Sequence, residues 1–273
     1  MRKLLQNSSV SRRVADTNIA YDSGFSSVLV FLPWILIDGK KTSDAEAEGI
    51  SDSIESDSIA TKLSDSKKRS ITDMKKRVAL LSRKTKETDI TIKLDLDGKG
   101  KAKIGTGIGF LDHMLDLFTC HGLFDLNVKA KGDLSVDIHH TNEDIGIVLG
   151  QAFKKALSSK KGICRFGQSF VPMDEALSRA RVVLDISGRP SLYFKTKVKN
   201  LKAPKAYDLN DCEEFIKAFT LGSGINMHVD ILRGKDTHHV LESIFKALGR
   251  ALSQATRIEP RRSNKVPSTK GRL

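Results

Sequence analysis

Cysteine is scarce in this 273-residue chain, and its three copies, Cys120, Cys164 and Cys212, show neither paired spacing nor a Cys-x-x-Cys motif. That excludes a disulfide framework and fits a reducing compartment. Long apolar runs are missing as well. The stretch Val28 to Ile37 is broken by Pro33 and falls far short of the roughly 20 residues a bilayer-spanning helix needs. No membrane span is predicted. The chain also lacks an RNA-recognition aromatic pattern or a groove-reading helix motif, so only its formal charge of +13 points toward nucleic acid. That excess sits largely at the ends of the folded part. Lys62 to Lys86 is basic, and the tail carries Arg257, Arg261, Arg262, Lys265, Lys270 and Arg272 against Glu259 alone. Such a tail is either solvated or used to hold a phosphate, and a nucleic-acid partner is not expected.

Acidic residues are nearly absent from the first 20 positions, where Asp16 stands against Arg2, Lys3, Arg12 and Arg13, with Ser8, Ser9 and Ser11 between. This composition resembles an organellar transit peptide. A genuine leader of this kind would send the chain to a plastid; without it the protein would be cytoplasmic. A late apolar region in a bipartite leader, or a leader preceding a true start at Met74, are the alternatives. Thr42 to Ser66 then carries Asp44, Glu46, Glu48, Asp52, Glu55, Asp57 and Asp65 with almost no aromatic content. Such a stretch buries too little apolar area to offset its ordering entropy and reads as a disordered linker. Residues 1–74 are therefore leader and linker. The folded domain, 75–273, keeps about 200 residues, enough for a sizeable core.

What the chain does contain is one device written twice. His139-His140-Thr141-Asn142-Glu143 and His238-His239-Val240-Leu241-Glu242 both read His-His-x-x-Glu. On a helix the first His and the Glu share a face, while the middle His is turned by roughly 100°. Each copy offers ligands in two directions. Imidazole plus carboxylate suits borderline divalent ions such as manganese, iron or zinc. A lone His on a helix is ordinarily a hydrogen-bonded core or surface residue. Here, however, the other three of the seven histidines, His113, His121 and His228, all lie upstream of one copy or the other.

Glu87 to Asp97 alternates through Ile90, Ile92 and Leu94 as a half-buried strand does, and Phe110 to Phe118 has helical spacing. Leu123 to Ala130 and Leu134 to Ile138 read as strands, and His139 opens a helix. The second half repeats the plan with strands at Arg181 to Ile186, Leu192 to Val198 and Asn226 to Leu232, and helices at Cys212 to Leu221 and His238 to about Thr256. The chain is thus internally duplicated, with repeats at about 85–170 and 171–260 and a basic C-terminal tail. The predicted class is α+β, each half a largely antiparallel sheet with helices on one face. Superposing the repeats on their His-His pairs makes Glu214 the positional counterpart of His113. If His113 is a ligand, Glu214 is the candidate ligand of the second half.

These residues resemble the imidazoleglycerol-phosphate dehydratase family from Arg77 to Leu273. The matching blocks are Thr85 to Asp89, Thr106 to Leu115, His139 to Asp144, Met173 to Leu177, Ser187 to Pro190, Thr237 to Glu242 and Pro267 to Gly271. The resemblance implies duplicated half-domains of the ribosomal S5 domain 2-like kind. It also implies a homo-oligomeric shell of 24 subunits, with two manganese ions per active site at subunit interfaces. The implied reaction removes water from imidazole glycerol phosphate to give imidazole acetol phosphate. Its metal ligands would be His113, His139, His140, Glu143, His238, His239 and Glu242, with Glu214 added from the repeat comparison. Catalysis would rest on Glu87, His139, Glu143, His238 and Glu242, with Glu87 transferring a proton. Glu87, His113, His121, Arg165, Arg189, Lys246, Ser268, Thr269 and Lys270 would contact substrate, the basic groups and hydroxyls among them suiting its phosphate. Four departures stand out. Glu214 replaces a usual His, Leu117 a usual Gln and Ile138 a usual Asp, and Ala176 to Ile186 is two residues longer than usual. A divergent assembly subunit that has lost turnover is the alternative reading.

Overall fold

The computed structural model describes residues 76–174, 176–196, 198, 207–262 and 264–273. They belong to one compact unit, Thr61–Leu273; the predicted leader and linker, 1–74, lie outside the described residues. The strands are β1 (Val78–Lys84), β2 (Thr88–Asp95), β3 (Ala102–Gly105), β4 (Asp125–Gly132), β5 (Phe166–Met173), β6 (Ala176–Asp185), β7 (Ser191–Thr196) and β8 (Asn226–Ile231). The helices are α1 (Gly109–Gly122), α2 (His139–Leu157), α3 (Leu209–Ser223) and α4 (Thr237–Thr256). Among the described residues no helix is long and apolar enough to cross a membrane.

Two four-stranded mixed sheets result, ordered β1-β2-β4-β3 and β5-β6-β8-β7. In each, two pairings are antiparallel, and the third, β3 with β4 or β7 with β8, is parallel. A helix makes each parallel crossover, as parallel pairing requires. Period-2 alternation sets the buried face. On β2, Thr88, Ile90, Ile92 and Leu94 point inward, with Ile92 opposite Val128 and Leu94 opposite Leu126 on β4. The second sheet repeats this with Val182 opposite Val229 and Leu184 opposite Met227. A one-residue slip would turn each set to solvent.

The duplicated α+β prediction therefore holds. The first sheet starts at Val78 and the second at Phe166, with Leu157 the last residue of the helix between them. The predicted strand at Leu134 to Ile138 is instead a turn. Val136 N donates to the Asp133 carbonyl at 2.8 Å, and Val136, an apolar member of the apparent alternation, is 70% exposed.

The halves exchange helix partners. α1 packs on α4, and α2 packs on α3, so each pair joins one repeat to the other. Both pairs run parallel and touch through a glycine seven residues beyond the motif's Glu. A Cβ on Gly249 would stand 2.4 Å from the Phe118 carbonyl oxygen, and one on Gly150 would stand 2.4 Å from that of Phe219. Only glycine permits so close a backbone approach. Between the pairs, Phe118, Phe124, Phe153 and Phe219 form a buried chain of rings with successive centroids 5.5, 5.1 and 5.3 Å apart. Each such side chain contributes about 1.5–3 kcal/mol of burial.

Candidate functional site

Both His-His-x-x-Glu motifs open a helix behind an aspartate. Asp137 Oδ1 accepts from His139 N at 2.8 Å at the start of α2, and Asp236 Oδ1 accepts from His238 N at 2.7 Å at the start of α4. These bonds satisfy orphan amide donors. They also fix where each first histidine emerges. The two aspartates, each two residues before its His-His pair, are the sequence signal for these helix starts that composition and periodicity passed over.

The helix exchange brings His113 of the first repeat to the second repeat's motif. His113 Nε2 lies 3.1 Å from Glu242 Oε1, and His238 Nε2 lies 2.9 Å from the same oxygen. The ligand atoms of His113, His238 and Glu242 all fall within 4.8 Å of one another. His113 is set by the residue before it, because Asp112 Oδ1 accepts from Thr106 N at 2.9 Å and from Thr106 Oγ1 at 2.5 Å. Phe110 meets the His238 ring edge-on at 5.1 Å and stacks on buried Tyr207 at 5.5 Å.

Lys246 Nζ completes the group, 2.5 Å from Glu242 Oε2 and 3.2 Å from Met173 Sδ. Burial works against a charge on Glu242. The hydrogen bonds from Lys246, His113 and His238 outweigh it and draw the carboxyl from its ordinary 4.5 down to about 2. It is therefore ionised across the neutral range. His121 lies on the last turn of α1, where burial first, then the charges of Lys246 and Arg250, lower its pKa.

The first motif is more open. His139 Nε2 lies 3.8 Å from Glu143 Oε2, and both side chains are about half exposed. His140 turns elsewhere, as the helical spacing predicts: its Nδ1 lies 3.0 Å from Asp133 Oδ2 and 3.9 Å from Glu87 Oε2. The Asp133 hydrogen bond, then the Glu87 charge, raise the His140 pKa. His239 is turned in the matching way, its Nε2 3.8 Å from Asp174 Oδ2. Glu87 sits in the β1–β2 turn, where Thr85 Oγ1 accepts from its amide at 3.1 Å, beside a cleft of about 310 Å³ that Lys84, Lys86, Asp89 and Asp133 also line. Asp144 ties this hairpin to α2 by accepting from Thr88 Oγ1 at 2.6 Å and Arg83 Nε at 2.9 Å.

Glu214 occupies on α3 the place His113 has on α1, since the spacing that relates them also relates Phe118 to Phe219 at the two glycine crossings. Its carboxylate is paired with Lys217 Nζ at 3.1 Å and does not join a ligand cluster among the described residues.

Arg165, expected on substrate, lies at the end of the second sheet beside the C-terminal tail. Its guanidinium is paired two-point with Asp185, at 2.7 and 3.0 Å, and donates to the Pro267 carbonyl at 2.9 Å. These partners hold its charge, so it grips the tail segment that carries Ser268, Thr269 and Lys270. Thr269 and Lys270 are exposed, Ser268 half-buried and Arg189 exposed. Asp133, Asp144 and Asp185 are polar positions that sequence reasoning missed, because each acts through a partner distant in the chain.

Two α+β halves, each opening a helix with His-His-x-x-Glu, with an imidazole of the first half set against the carboxylate of the second half's motif, define a class of internally duplicated enzymes with an imidazole-rich centre. A profile of imidazoleglycerol-phosphate dehydratase matches residues 106–252. The dehydratase of Methylorubrum extorquens is 52% identical over 197 residues, 72% of this chain and 100% of that protein. That of Acetivibrio thermocellus is 56% identical over 193 residues, 71% of this chain and 97% of that protein. The crystal structure of the Staphylococcus aureus enzyme aligns with a TM-score of 0.59 at 40% identity, covering 67% of this chain and 99% of that one. The Pyrococcus furiosus structure, a complex with (S)-C348, gives 0.60 at 35% identity, with 71% and 100% covered. The chain belongs to the imidazoleglycerol-phosphate dehydratase family, hydro-lyases of histidine biosynthesis.

Proposed function

We propose that the chain catalyses divalent-metal-dependent dehydration of imidazole glycerol phosphate to imidazole acetol phosphate, with two manganese ions per active site in a 24-subunit homo-oligomer. The observation that carries this reading is the convergence of His113, His238 and Glu242 from both repeats. Two imidazoles and an ionised carboxylate fit a borderline divalent ion. An ion held there supplies positive charge against the negative charge that develops when the substrate loses a proton. His139, Glu143 and Glu214 form the second donor set by the repeat relation.

The chain's own groups do the rest. Glu87 transfers the proton. In one chain its side chain is 56% exposed, so substrate or a neighbouring copy must supply the desolvation a carboxylate base uses. Arg165, Arg189, Lys246, Ser268, Thr269 and Lys270 hold the phosphate. His140 and His239 diverge from the three-residue cluster toward Asp133 and Asp174. That divergence supports ligation across subunits, with His140 and His239 serving neighbouring copies. The acid-poor, Arg- and Ser-containing residues 1–20 support delivery to a plastid, which a fluorescent fusion of residues 1–74 checks.

Stripping the full chain with chelator should abolish product formation, and manganese should restore it. His238→Gln should lower bound manganese per chain. Activity that survives chelation overturns the metal-dependent reading. The Glu214–Lys217 ion pair favours a second reading, an assembly subunit without turnover. Rescue of a dehydratase-deficient histidine auxotroph eliminates it.

A further inference from the structure

The hydrogen bond that holds His140 has no part in the chemistry above. Asp133 Oδ2 lies 3.0 Å from His140 Nδ1, and the aspartate side chain is only 24% exposed. Its other oxygen, Oδ1, is buried without a hydrogen-bond partner among the described residues. Glu87, at 3.9 Å from the same nitrogen, is beyond hydrogen-bond distance. A carboxylate only accepts, whereas a neutral imidazole has one donor and one acceptor nitrogen. The nitrogen facing Asp133 must therefore carry the proton, which leaves the lone pair on Nε2.

Local sequence explains how Asp133 comes to lie there. It follows β4 directly, after Gly132, where a Cβ would stand 1.9 Å from Thr141 Oγ1. Without that atom the strand end abuts the first turn of α2. The Asp133–Val136 turn and the Asp137 cap then reverse the chain into His139. The residue directly before His-His is Ile138, which offers no carboxylate, and Asp133 is the carboxylate within hydrogen-bond distance of this ring. Seven residues before His239 the second repeat has Leu232. This carboxylate is not duplicated.

We propose that Asp133 is a positioning residue: by holding the Nδ1 proton of His140, it presents the Nε2 lone pair to a divalent ion. The inference rests on the reading of His140 as a metal ligand. Outer partners of this kind fix ring orientation, and their loss weakens metal binding about 10- to 100-fold.

The test uses the full chain, histidine-labelled with ¹⁵N and stripped with chelator, at a pH high enough that the His140 ¹⁵N shifts have stopped changing and the ring is neutral. Magic-angle-spinning spectra read the tautomer, with His140→Gln identifying the His140 signals. Wild type should show protonated Nδ1 and bare Nε2. Asp133→Asn and Asp133→Ser should shift the ring toward protonated Nε2 and raise the manganese Kd, counted by the free-ion electron-spin signal, about 10- to 100-fold. Protonated Nε2 in wild type overturns the proposal without any variant. So does an unchanged tautomer or Kd in both Asp133 variants while His140→Gln still weakens binding. If His140→Gln itself binds manganese like wild type, His140 is not a ligand, and that reading falls together with the inference.

Discussion

Gly249→Ala should dismantle the His113–His238–Glu242 cluster while leaving the fold standing. The new Cβ would lie 2.4 Å from the Phe118 carbonyl oxygen, about 1 Å inside ordinary contact, and a backbone oxygen within a helix cannot rotate away. α1 and α4 must therefore separate by about 1 Å. His113 and His238 now stand 3.1 and 2.9 Å from one oxygen of Glu242, whereas metal–ligand distances tolerate only about 0.2 Å. The effect on stability is smaller, because overpacking costs about 1–3 kcal/mol and replacing glycine within a helix returns about 1 kcal/mol. A net loss of about 0–2 kcal/mol lowers the Tm by at most about 8 °C in a domain of this size. Manganese titration should show at least a tenfold weaker Kd, with kcat/KM falling in parallel and the circular dichroism unchanged. Gly109→Ala on α1 is the control, since nothing lies within 4 Å of a Cβ there. If Gly249→Ala binds manganese and turns over like Gly109→Ala, the glycine crossing does not set the site.

Elemental analysis should find near two manganese per chain in wild type and in Glu214→His; near one, rising to two in the variant, would refute Glu214 as a working ligand. Asp185→Asn releases Arg165 from its two-point pair, at a cost of about 2 kcal/mol. Because Arg165 also grips Pro267, KM should rise more than kcat falls; a lower kcat at constant KM would contradict the tail-anchoring role. Burial first, then Glu213 and Asp211, push the Cys212 thiol well up. Cys212 should resist Ellman's reagent at about pH 8 until the chain is unfolded, and rapid reaction in the native protein would argue against its place in the core.

Periodicity revealed most of the elements that bury one face, though not β5, whose buried positions hold Gly167 and Ser169 rather than large apolar side chains. β2 and β8 alternate cleanly, and each helix carries an apolar stripe, so all were legible. Edge strand β1 was not, since Ala79 is its one fully buried residue, and a four-residue strand such as β3 is too short to show a period. Leu134, Val136 and Ile138 mimic a strand but belong to a turn. The donor types of the His113–His238–Glu242 cluster were legible too, because His-His-x-x-Glu places imidazole and carboxylate by helical spacing alone. Which half completes which cluster was not. His113 precedes the first motif yet joins the second, and only the pairing of α1 with α4 decides that. Gly150 and Gly249, each seven residues beyond its motif's Glu, were the trace of this exchange in the sequence, for they mark where another backbone must approach. The exchange has a consequence for how the duplication can be used. A lone half holds His113 without Glu242, or Glu242 without His113, so neither repeat alone assembles the three-residue cluster.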